Sequence, residues 1–466
     1  MNASFDLRLG ILARRYRAGD ATPRRLVARL RERALSLNDE YHAFIHLLSL
    51  EELEPYLAAL EGRHPDDLPL YGIPFAIKDS IDLAAVPTTA ACPAFAYTPK
   101  VSATIVRQLV ELGAIPLGKT NLDQFGTGVN GTRSPYGECR NSVHPDYPAG
   151  GSSSGSALAV ALGLSSFALG TDVGGSGRVP AALNNLVGLK TSRGIISDAG
   201  HVPICRSLQC ITYFTSTAVE ASRLLALTAL AAPDPADAYS RANPAWNDGK
   251  DFEATPKAFR FGLPQKPEFM GCAESAAIFA RTVAHLQAIG GTPVEIDFAP
   301  FLETTRLLFG GPWLAERYSG SLGAFMENNP EALLPVIREV LAPAREITGV
   351  ATFRALHRLQ ELKAQCDRLM TGLDCVLTPA YPRPATLAEL HAEPIQRNLD
   401  LGYYSSFINL LDYAAVAVPA GFFQNGLPSG VTLFGRAFTD QYLLSLAHGL
   451  QKETRLPLIG GNVPGK

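Results

Sequence analysis

The sequence lacks the features that mark several large classes of protein. Its 466 residues contain no uncharged apolar run of the length that a transmembrane helix needs, and no apolar segment follows a basic one at the N-terminus. Acidic and basic residues nearly balance, 44 against 41, so the chain has no general attraction to nucleic acid. We therefore expect a cytoplasmic chain that binds neither membranes nor nucleic acids.

Patterns for metal binding and for disulfides are also missing. The seven cysteines form no CxxC pair, and the nine histidines form no HExxH pattern. An odd number of cysteines in a long chain does not indicate a disulfide framework. We expect reduced, mostly buried thiols, and no metal ion or other cofactor.

The residues that are present favour a large α/β core. Hydrophobic residues make up 47% of the chain and charged residues 18%, and the length fits about three domains or one large one. Residues 4–61 read as helical, and a polar, proline-rich stretch at 232–258 predicts a linker between two halves. Elsewhere short apolar runs alternate with helical stretches, which predicts an α/β fold. The predicted strands are Ile73–Ile77, Ala114–Leu117, Phe167–Leu169, Leu186–Leu189, Phe259–Leu263, Thr292–Ile296, Leu373–Thr378 and Ala414–Val418, and the predicted helices include Ala103–Leu112, Ser156–Leu164, Glu220–Ala231 and Ser275–Ile289.

The segment 148–180 contains two short loops rich in glycine and serine, which flank a helix and a strand. Such loops form flexible linkers, phosphate cradles or nucleophilic sites. These loops lie between strongly apolar elements and lack both glycine patterns of nucleotide-binding loops, which favours the third interpretation. Consecutive glycines let backbone N–H groups converge on one point, as an oxyanion requires, and a neighbouring serine could attack a carbonyl held there.

A serine nucleophile needs a base, and neither loop contains a histidine. Lysine is scarce, with ten residues against 31 arginines. One of the ten lysines, Lys78, directly follows the apolar run Gly72–Ile77. A lysine at the end of a buried strand could lose its proton through desolvation and act as a base. It could equally be a paired structural cation, and spacing alone does not decide between the two.

Three segments together resemble the amidase signature family. They are Gly72–Asp82 (GIPFAIKDSID), Gly150–Ala157 and Gly170–Pro180 (GTDVGGSGRVP). The resemblance continues through Val187–Lys190 to a pattern between Pro419 and Arg436, so it covers nearly the whole chain. It implies the amidase signature fold, which is a three-layer α/β/α sandwich around a large, mixed, twisted sheet.

The resemblance also implies a Ser–cis-Ser–Lys catalytic triad. Ser176 would be the nucleophile. Ser152, held by a cis peptide bond with Gly151, would relay the proton of Ser176. Lys78 would be the base and would be neutral in the resting enzyme.

Further residues around the triad are assigned by the same resemblance. Arg178 would form a local, structural ion pair. The chain departs from the family at Ser154, where glycine is common, and at Gly177, where an apolar residue is common, and both changes affect loop geometry or pocket width. The N–H groups of the oxyanion hole would belong to Val173, Gly174, Gly175 and Ser176, and the residues that support the triad by hydrogen bonds would be Ser153, Thr171 and Asp172.

Two other stretches, GTRSPYG (131–137) and GPWLAERY (311–318), resemble the amidase domain of the allophanate hydrolase family. Allophanate is a carboxylated urea, so the resemblance implies a small, anion-binding pocket and release of ammonia from the terminal amide. Arg317 would bind the carboxylate through its forked guanidinium. Arg133 is a second candidate for this role, and Gly128 would present its backbone to the substrate.

Alternatives to this assignment remain open. Without the resemblance, Arg317 reads as an ordinary arginine on a helix surface, and Phe309 stands where an aromatic hydroxyl is expected. The chain could be an ammonia-supplying component of a tRNA-dependent amidotransferase, another small-amide amidase, or a scaffold without activity. The absence of net basic charge disfavours the first, and the complete triad disfavours the last. An unneutralised arginine in the pocket disfavours neutral substrates.

The resemblance divides the chain into a helical segment at 1–61, a catalytic domain at 62–460 and a tail at 461–466. The first segment would support a homodimer. Allophanate hydrolases commonly carry a further C-terminal domain, and the resemblance leads us to expect none within this sequence. We expect ammonia release from this chain alone, because the N-carboxycarbamate product can decarboxylate by itself.

Overall fold

A mixed sheet of eleven strands organises the chain. The computed structural model describes residues 6–250, 252 and 256–458. In chain order the strands are β1 (Phe44–Leu47), β2 (Pro74–Lys78), β3 (Ile115–Thr120), β4 (Phe167–Asp172), β5 (Val187–Lys190), β6 (Cys210–Thr215), β7 (Phe259–Pro264), β8 (Gly291–Ile296), β9 (Cys375–Pro379), β10 (Tyr413–Phe422) and β11 (Pro428–Arg436). They lie side by side in the order β1-β3-β2-β4-β6-β5-β10-β11-β9-β7-β8.

Parallel strands flank an antiparallel centre. Strand β2 pairs in parallel with β3 and β4, and β7 pairs in parallel with β8 and β9. The pairs from β4 through β6, β5, β10 and β11 to β9 are antiparallel, as is the pair of β1 with β3. The carboxyl ends of β2, β3 and β4 therefore meet at one edge, where open α/β sheets bind ligands.

Helices connect the strands and often begin at side chains suited to capping. Thr22 caps α2, where its hydroxyl accepts a hydrogen bond from the N–H of Arg25 at 3.4 Å, and Pro23 occupies the first helical position. The α-helices of the described residues are α1 (Leu9–Arg17), α2 (Pro23–Tyr41), α3 (Leu50–Ala58), α4 (Thr104–Glu111), α5 (Ser154–Ala161), α6 (Arg178–Leu183), α7 (Ala218–Thr228), α8 (Ala273–Ala288), α9 (Ala299–Gly310), α10 (Trp313–Glu316), α11 (Ser321–Asn328), α12 (Pro335–Leu341), α13 (Gly349–Leu369), α14 (Leu387–Ala392), α15 (Gln396–Leu401), α16 (Ser406–Leu410) and α17 (Asp440–Thr454), with 3-10 turns at Pro93–Phe95, Gln124–Gly126, Ala245–Asn247, Pro330–Ala332 and Ala342–Glu346.

Successive side chains of β10 point to opposite faces of the sheet, as strand geometry requires. Val416 and Val418 belong to the cluster that includes the apolar side chains of α7 and α17. Ala417 packs with α5, and Ala415 packs with α9 and α16. Helices therefore cover both faces, which confirms the predicted three-layer α/β/α sandwich around a large mixed sheet.

The fold differs from the sequence prediction at three strands and one connection. Strand β1 lies inside the segment 1–61, which was expected to be helical, and β6 and β11 were not predicted. The stretch 232–258 does not separate two sheets, because β9 links β11 to β7 within one sheet. The predicted tail, 461–466, lies outside the described residues.

All seven cysteines are free thiols, and six of them are buried. Within the described ranges, no helix has the length and apolar character needed to cross a lipid bilayer. The same part of the chain holds no group of three or more side chains arranged to bind a metal ion.

Candidate active site

Lys78 is the last residue of β2 and is fully buried. Its Nζ donates hydrogen bonds to three hydroxyl oxygens, Ser152 Oγ at 2.8 Å, Ser153 Oγ at 2.9 Å and Thr171 Oγ1 at 2.9 Å. Burial lowers the pKa of Lys78 to about 7, although the charges of nearby aspartates act to raise it. At neutral pH a large fraction of this lysine is therefore unprotonated.

The loop before α5 brings Ser152 to Lys78. The Gly151–Ser152 peptide bond is cis, which confirms the sequence prediction. Gly151 allows the buried carboxylate of Asp123 to lie against its backbone, since a Cβ there would stand 2.2 Å from Asp123 Oδ2. Asp123 also accepts hydrogen bonds from the N–H groups of Gly131 and Arg133, so it fixes the neighbouring loop.

Ser153 supports the lysine instead of capping α5. Its Oγ accepts from Lys78 and donates to the carbonyl of Thr171 at 3.1 Å, and the Thr171 hydroxyl also accepts from Lys78. The structure thus brings Lys78, Ser152, Ser153 and Thr171 into one buried hydrogen-bond network.

Ser176 lies in the loop between β4 and α6 and is 4% exposed. Its Oγ donates to the carbonyl of Gly128 at 3.4 Å. The backbone carbonyl of Gly128 therefore lies at the Ser176 hydroxyl.

Asp172 shapes the loop that carries Ser176. The carboxylate accepts hydrogen bonds from the N–H groups of Gly175 at 2.8 Å and Gly177 at 2.9 Å. Arg178 donates to both carboxylate oxygens through Nε and Nη2, at 3.0 and 2.9 Å. Burial acts to raise the pKa of Asp172, but Arg178 and the two amides together lower it to about 2. The predicted local pairing of Arg178 is confirmed.

The backbone donors of this loop differ in availability. The Gly175 N–H, one of four predicted for the oxyanion hole, is already engaged by Asp172. Within the described residues, the N–H groups of Val173, Gly174 and Ser176 have no protein acceptor. The carbonyl of Gly174 is held by the Ser405 hydroxyl at 2.6 Å, which fixes the orientation of this peptide chain. Three of the four backbone donors in the stretch 173–176 are therefore without a protein acceptor in the described structure.

The neighbouring strand β6 explains why position 177 is occupied by glycine. A Cβ at this position would stand 2.3 Å from Thr212 Cγ2 on β6. Thr212 therefore occupies the space that an apolar side chain at position 177 would need.

Arg317 reaches the same region from the C-terminal end of α10. It is 6% exposed, and its Nη1 donates to the carbonyl of Phe125 at 3.0 Å and to Thr127 Oγ1 at 2.8 Å. The segment 125–128 lies next to both serines, since the Gly128 carbonyl accepts from Ser176 and a Cβ added at Gly126 would lie 3.6 Å from Ser152 Oγ. Among the described residues, no carboxylate forms an ion pair with Arg317, and its charge acts to lower the pKa of Lys78.

Arg133 is arranged differently from Arg317. Its Nη1 donates to the carbonyl of Thr127 at 2.8 Å and its Nη2 to the carbonyl of Pro394 at 2.6 Å. Its Nε is buried without a partner in the described structure. The guanidinium therefore braces the loop around Asp123 through Nη1 and Nη2, and Nε remains as a donor.

A family model described as amidase matches residues 25–444. This match covers most of the chain, including all of the segments that carry the buried lysine and the two serines. The chain belongs to the amidase family.

Several amidase-family proteins are similar to it. The urea amidolyase of Lachancea kluyveri is 42% identical over 409 residues, which cover 87% of this chain and 22% of that protein. A solved structure of Kluyveromyces lactis allophanate hydrolase has a TM-score of 0.87 at 37% identity, and the match covers 93% of this chain and 71% of that one. A glutamyl-tRNA(Gln) amidotransferase component from Thermosynechococcus vestitus is 32% identical over 416 residues, or 83% of this chain and 84% of that protein. This chain spans about a fifth of the length of the urea amidolyase.

Sequence reasoning missed several polar residues of this amidase-family site. Asp123 supports the cis-peptide loop, Gln124 and Thr127 contact the segment that carries Arg317, and Glu316 binds a neighbouring loop. A possible signal was the run Asp123-Gln124, two polar residues shortly after the buried strand β3. The partners of these residues lie far away in the sequence, so their roles could not be read from local pattern.

Proposed function

We propose that this chain hydrolyses the terminal amide of allophanate and releases ammonia. The observation that carries this proposal is the buried Arg317, which has no acidic partner in the described structure and donates to the segment 125–128, whose Gly128 carbonyl accepts from Ser176. A buried, unpaired guanidinium is costly unless a ligand supplies the missing negative charge. The similar proteins named as urea amidolyase and allophanate hydrolase support a substrate that carries a carboxylate.

In this proposal Ser176 is the nucleophile and Lys78 is the base. The Ser176 Oγ attacks the amide carbon, while its proton passes through Ser152 to the neutral Lys78. The carbon–nitrogen bond then breaks, and ammonia leaves with the proton returned along the same path. Water repeats the sequence on the acyl-enzyme and releases N-carboxycarbamate, which decarboxylates. Burial supports this role for Lys78, because the lowered pKa supplies the neutral amine near pH 7.

The oxyanion that forms during each attack needs preorganised donors. We propose the N–H groups of Val173, Gly174 and Ser176, which have no other acceptor in the described structure. Gly175 joins this set only if its N–H is shared with Asp172. Loss of one such donor typically costs about 3–4 kcal/mol of transition-state stabilisation.

Arg317 would bind the substrate carboxylate. Its Nη1 is fixed to the backbone and side chain of the segment 125–128, which leaves Nε and Nη2 for a forked contact. Arg133 would support substrate binding indirectly, by holding the loop that contains Thr127. Phe309 supplies no hydroxyl, so the carboxylate would depend more strongly on Arg317.

The proposal includes a homodimer, which rests on the sequence resemblance, and a cytoplasmic location, which rests on the sequence pattern alone. Sedimentation of the purified chain tests the first. The alternative of an ammonia-supplying component is supported by the similarity to the glutamyl-tRNA(Gln) amidotransferase protein. It would require glutamine or asparagine as the nitrogen donor and would leave allophanate unused.

Replacing Arg317 with alanine tests the proposed substrate. We expect Arg317→Ala to lower kcat/KM for allophanate by about 100-fold, because a charged hydrogen bond with its ion pair is lost. The same change should lower kcat/KM for a neutral amide such as propionamide by less than about threefold. Arg306→Ala, which removes an exposed arginine from α9, is the matched control. Equal losses on the charged and the neutral substrate would refute carboxylate binding by Arg317.

A further inference from the structure

Arg317 has an acidic neighbour that does not pair with it. Glu316 directs its carboxylate to the loop before β6, where Ser207 N donates at 2.7 Å, Ser207 Oγ at 2.5 Å and Cys205 Sγ at 3.1 Å. Burial and the nearby carboxylate both raise the pKa of the Cys205 thiol, so Cys205 remains a protonated donor. Three donors therefore satisfy the carboxylate that stands next to the substrate-facing arginine.

The segment that carries Arg317 packs largely against loops. Most buried apolar residues of 313–346, which contain α10, α11 and α12, form a cluster with residues of three loops near the site, among them Ala90, Phe125 and Ile204. Trp313 belongs instead to the cluster that includes α9 and α16. We call residues 313–346 the cap. Because the cap contributes no strand to the sheet, the placement of Arg317 depends on how the cap is held against these loops.

Besides the hydrogen bonds of Arg317 itself, side chains at two places hold the cap to the neighbouring loops. Gln124, which is fully buried, donates to the carbonyl of Ala332 at 3.1 Å and accepts from the N–H of Leu334 at 2.8 Å. Glu316 makes the second contact, directly before Arg317 in sequence. Of the two, only Glu316 also decides whether a negative charge is available to pair with the arginine.

We infer that Glu316 is a positioning residue for Arg317, which it acts on by fixing the end of α10 to the loop 205–207 and by keeping its own carboxylate engaged there. This inference deepens the proposed function and rests on it, since the guanidinium so positioned would receive the substrate carboxylate. The hydrogen bonds of the Glu316 carboxylate go to the loop 205–207 and to no member of the triad. Loss of Glu316 would therefore change the recognition of the carboxylate and leave the chemical step intact.

The test compares Glu316→Gln with Glu331→Gln, which changes an exposed glutamate of the same cap. We expect Glu316→Gln to raise KM for allophanate by about tenfold, with kcat changed less than about twofold, because a charged acceptor of three hydrogen bonds is lost. KM for propionamide should stay unchanged in both variants. In an Arg317→Ala background, Glu316→Gln should have no further effect on allophanate, since the two residues act as one unit.

Ser207→Ala changes the partner of Glu316 in the same contact, and it provides the test if Glu316→Gln does not fold. It removes one donor to the Glu316 carboxylate and should raise KM for allophanate by a smaller factor, again without effect on propionamide. Equal changes in KM for both substrates, or additive effects of Glu316→Gln and Arg317→Ala, would overturn the inference.

A binding measurement separates this inference from the proposed function. Malonamate replaces the NH of allophanate with CH2, and its affinity for Ser176→Ala can be measured by calorimetry. If allophanate is not hydrolysed but Glu316→Gln still weakens malonamate binding about tenfold, the function fails and the inference stands. If allophanate is hydrolysed and neither KM nor malonamate affinity responds, the inference fails and the function stands. No hydrolysis of allophanate together with no malonamate binding would overturn both.

Discussion

Burial of Lys78 at the end of β2 sets the pH range in which the proposed base can work. The pKa of about 7 means that the neutral amine dominates above this pH and that protonation removes it below. The network of three hydroxyl oxygens accepts hydrogen bonds from Lys78 in the charged form, and the neutral amine can accept from Ser152.

We expect kcat/KM for a neutral amide to rise with pH by about tenfold per unit below pH 7 and to level off above it, because only neutral Lys78 accepts the proton. Arg317→Ala should shift the rising part of the pH–rate profile to higher pH, since the positive charge of Arg317 helps to lower the pKa of Lys78. The measurement is a pH–rate profile of both proteins on propionamide. A flat profile, or a shift to lower pH in the variant, would contradict the assignment of Lys78 as the base.

Sequence could single out Lys78, Ser152 and Ser176, because each belongs to a short local pattern. It could not separate Arg317 from Arg133. The two side chains are chemically identical, and their roles depend on partners that lie far along the chain. Arg133 is held by the carbonyl of Pro394, 261 residues away, while Arg317 reaches Phe125, 192 residues away. The availability of the Gly175 N–H likewise depended on the side-chain orientation of Asp172.

The loop between β4 and α6 depends on a buried ion pair. Asp172 and Arg178 are both buried, and Arg178 also binds the carbonyl of Ser405 and the side chain of Asn409. These contacts hold the loop that carries Ser176 and its unpaired amides.

Replacing Arg178 with alanine should lower the free energy of unfolding by about 3–5 kcal/mol, because the carboxylate of Asp172 is left buried without its partner. Adding Asp172→Asn to the Arg178→Ala variant should recover part of the lost free energy of unfolding. Denaturant unfolding followed by circular dichroism measures both effects, and Arg358→Ala, which breaks an exposed ion pair with Glu303, should change stability little. A loss for Arg178→Ala no larger than that of Arg358→Ala would refute a structural role for the pair.

At the scale of elements, sequence periodicity predicted α2, α4, α5, α7 and α8 and the most apolar strands, but it did not predict the long helices α13 and α17. Strand β1 was missed because it has only four residues and lies between helices with strong patterns. Strand β11 contains proline and glycine, which usually indicate turns, so its composition did not predict a strand. It forms because it pairs with β10 on one side and β9 on the other. Both strands therefore form through pairing with at least one strand that is distant in sequence, which a local pattern does not show.

The molecule as a whole does not separate into an N-terminal module and a catalytic domain. Strand β1 pairs with β3 in the main sheet, the Tyr16 hydroxyl donates to the carbonyl of Gly72 at 2.9 Å, and the N–H of Leu9 donates to Glu220 at 2.9 Å. Leu12 and other apolar residues of the first helices belong to the main core.

Deletion of residues 1–47 should therefore prevent the rest of the chain from folding, because it removes an edge strand and exposes buried core residues. Soluble yield and circular dichroism of the truncated chain are the measurements, with the full chain as the control. If residues 1–61 act only in dimerisation, the truncated chain will instead remain folded and active as a monomer.

The central claim is that this chain alone cleaves the amide of a small carboxylated urea with Ser176. The most direct measurement is the initial rate of ammonia release from freshly prepared allophanate by the purified chain, with Ser176→Ala measured beside it. We predict rapid release by the unaltered chain and a loss of at least about 1000-fold in the variant, because no other nucleophile replaces the serine. Absence of release from a folded chain, or equal release by Ser176→Ala, would contradict the claim.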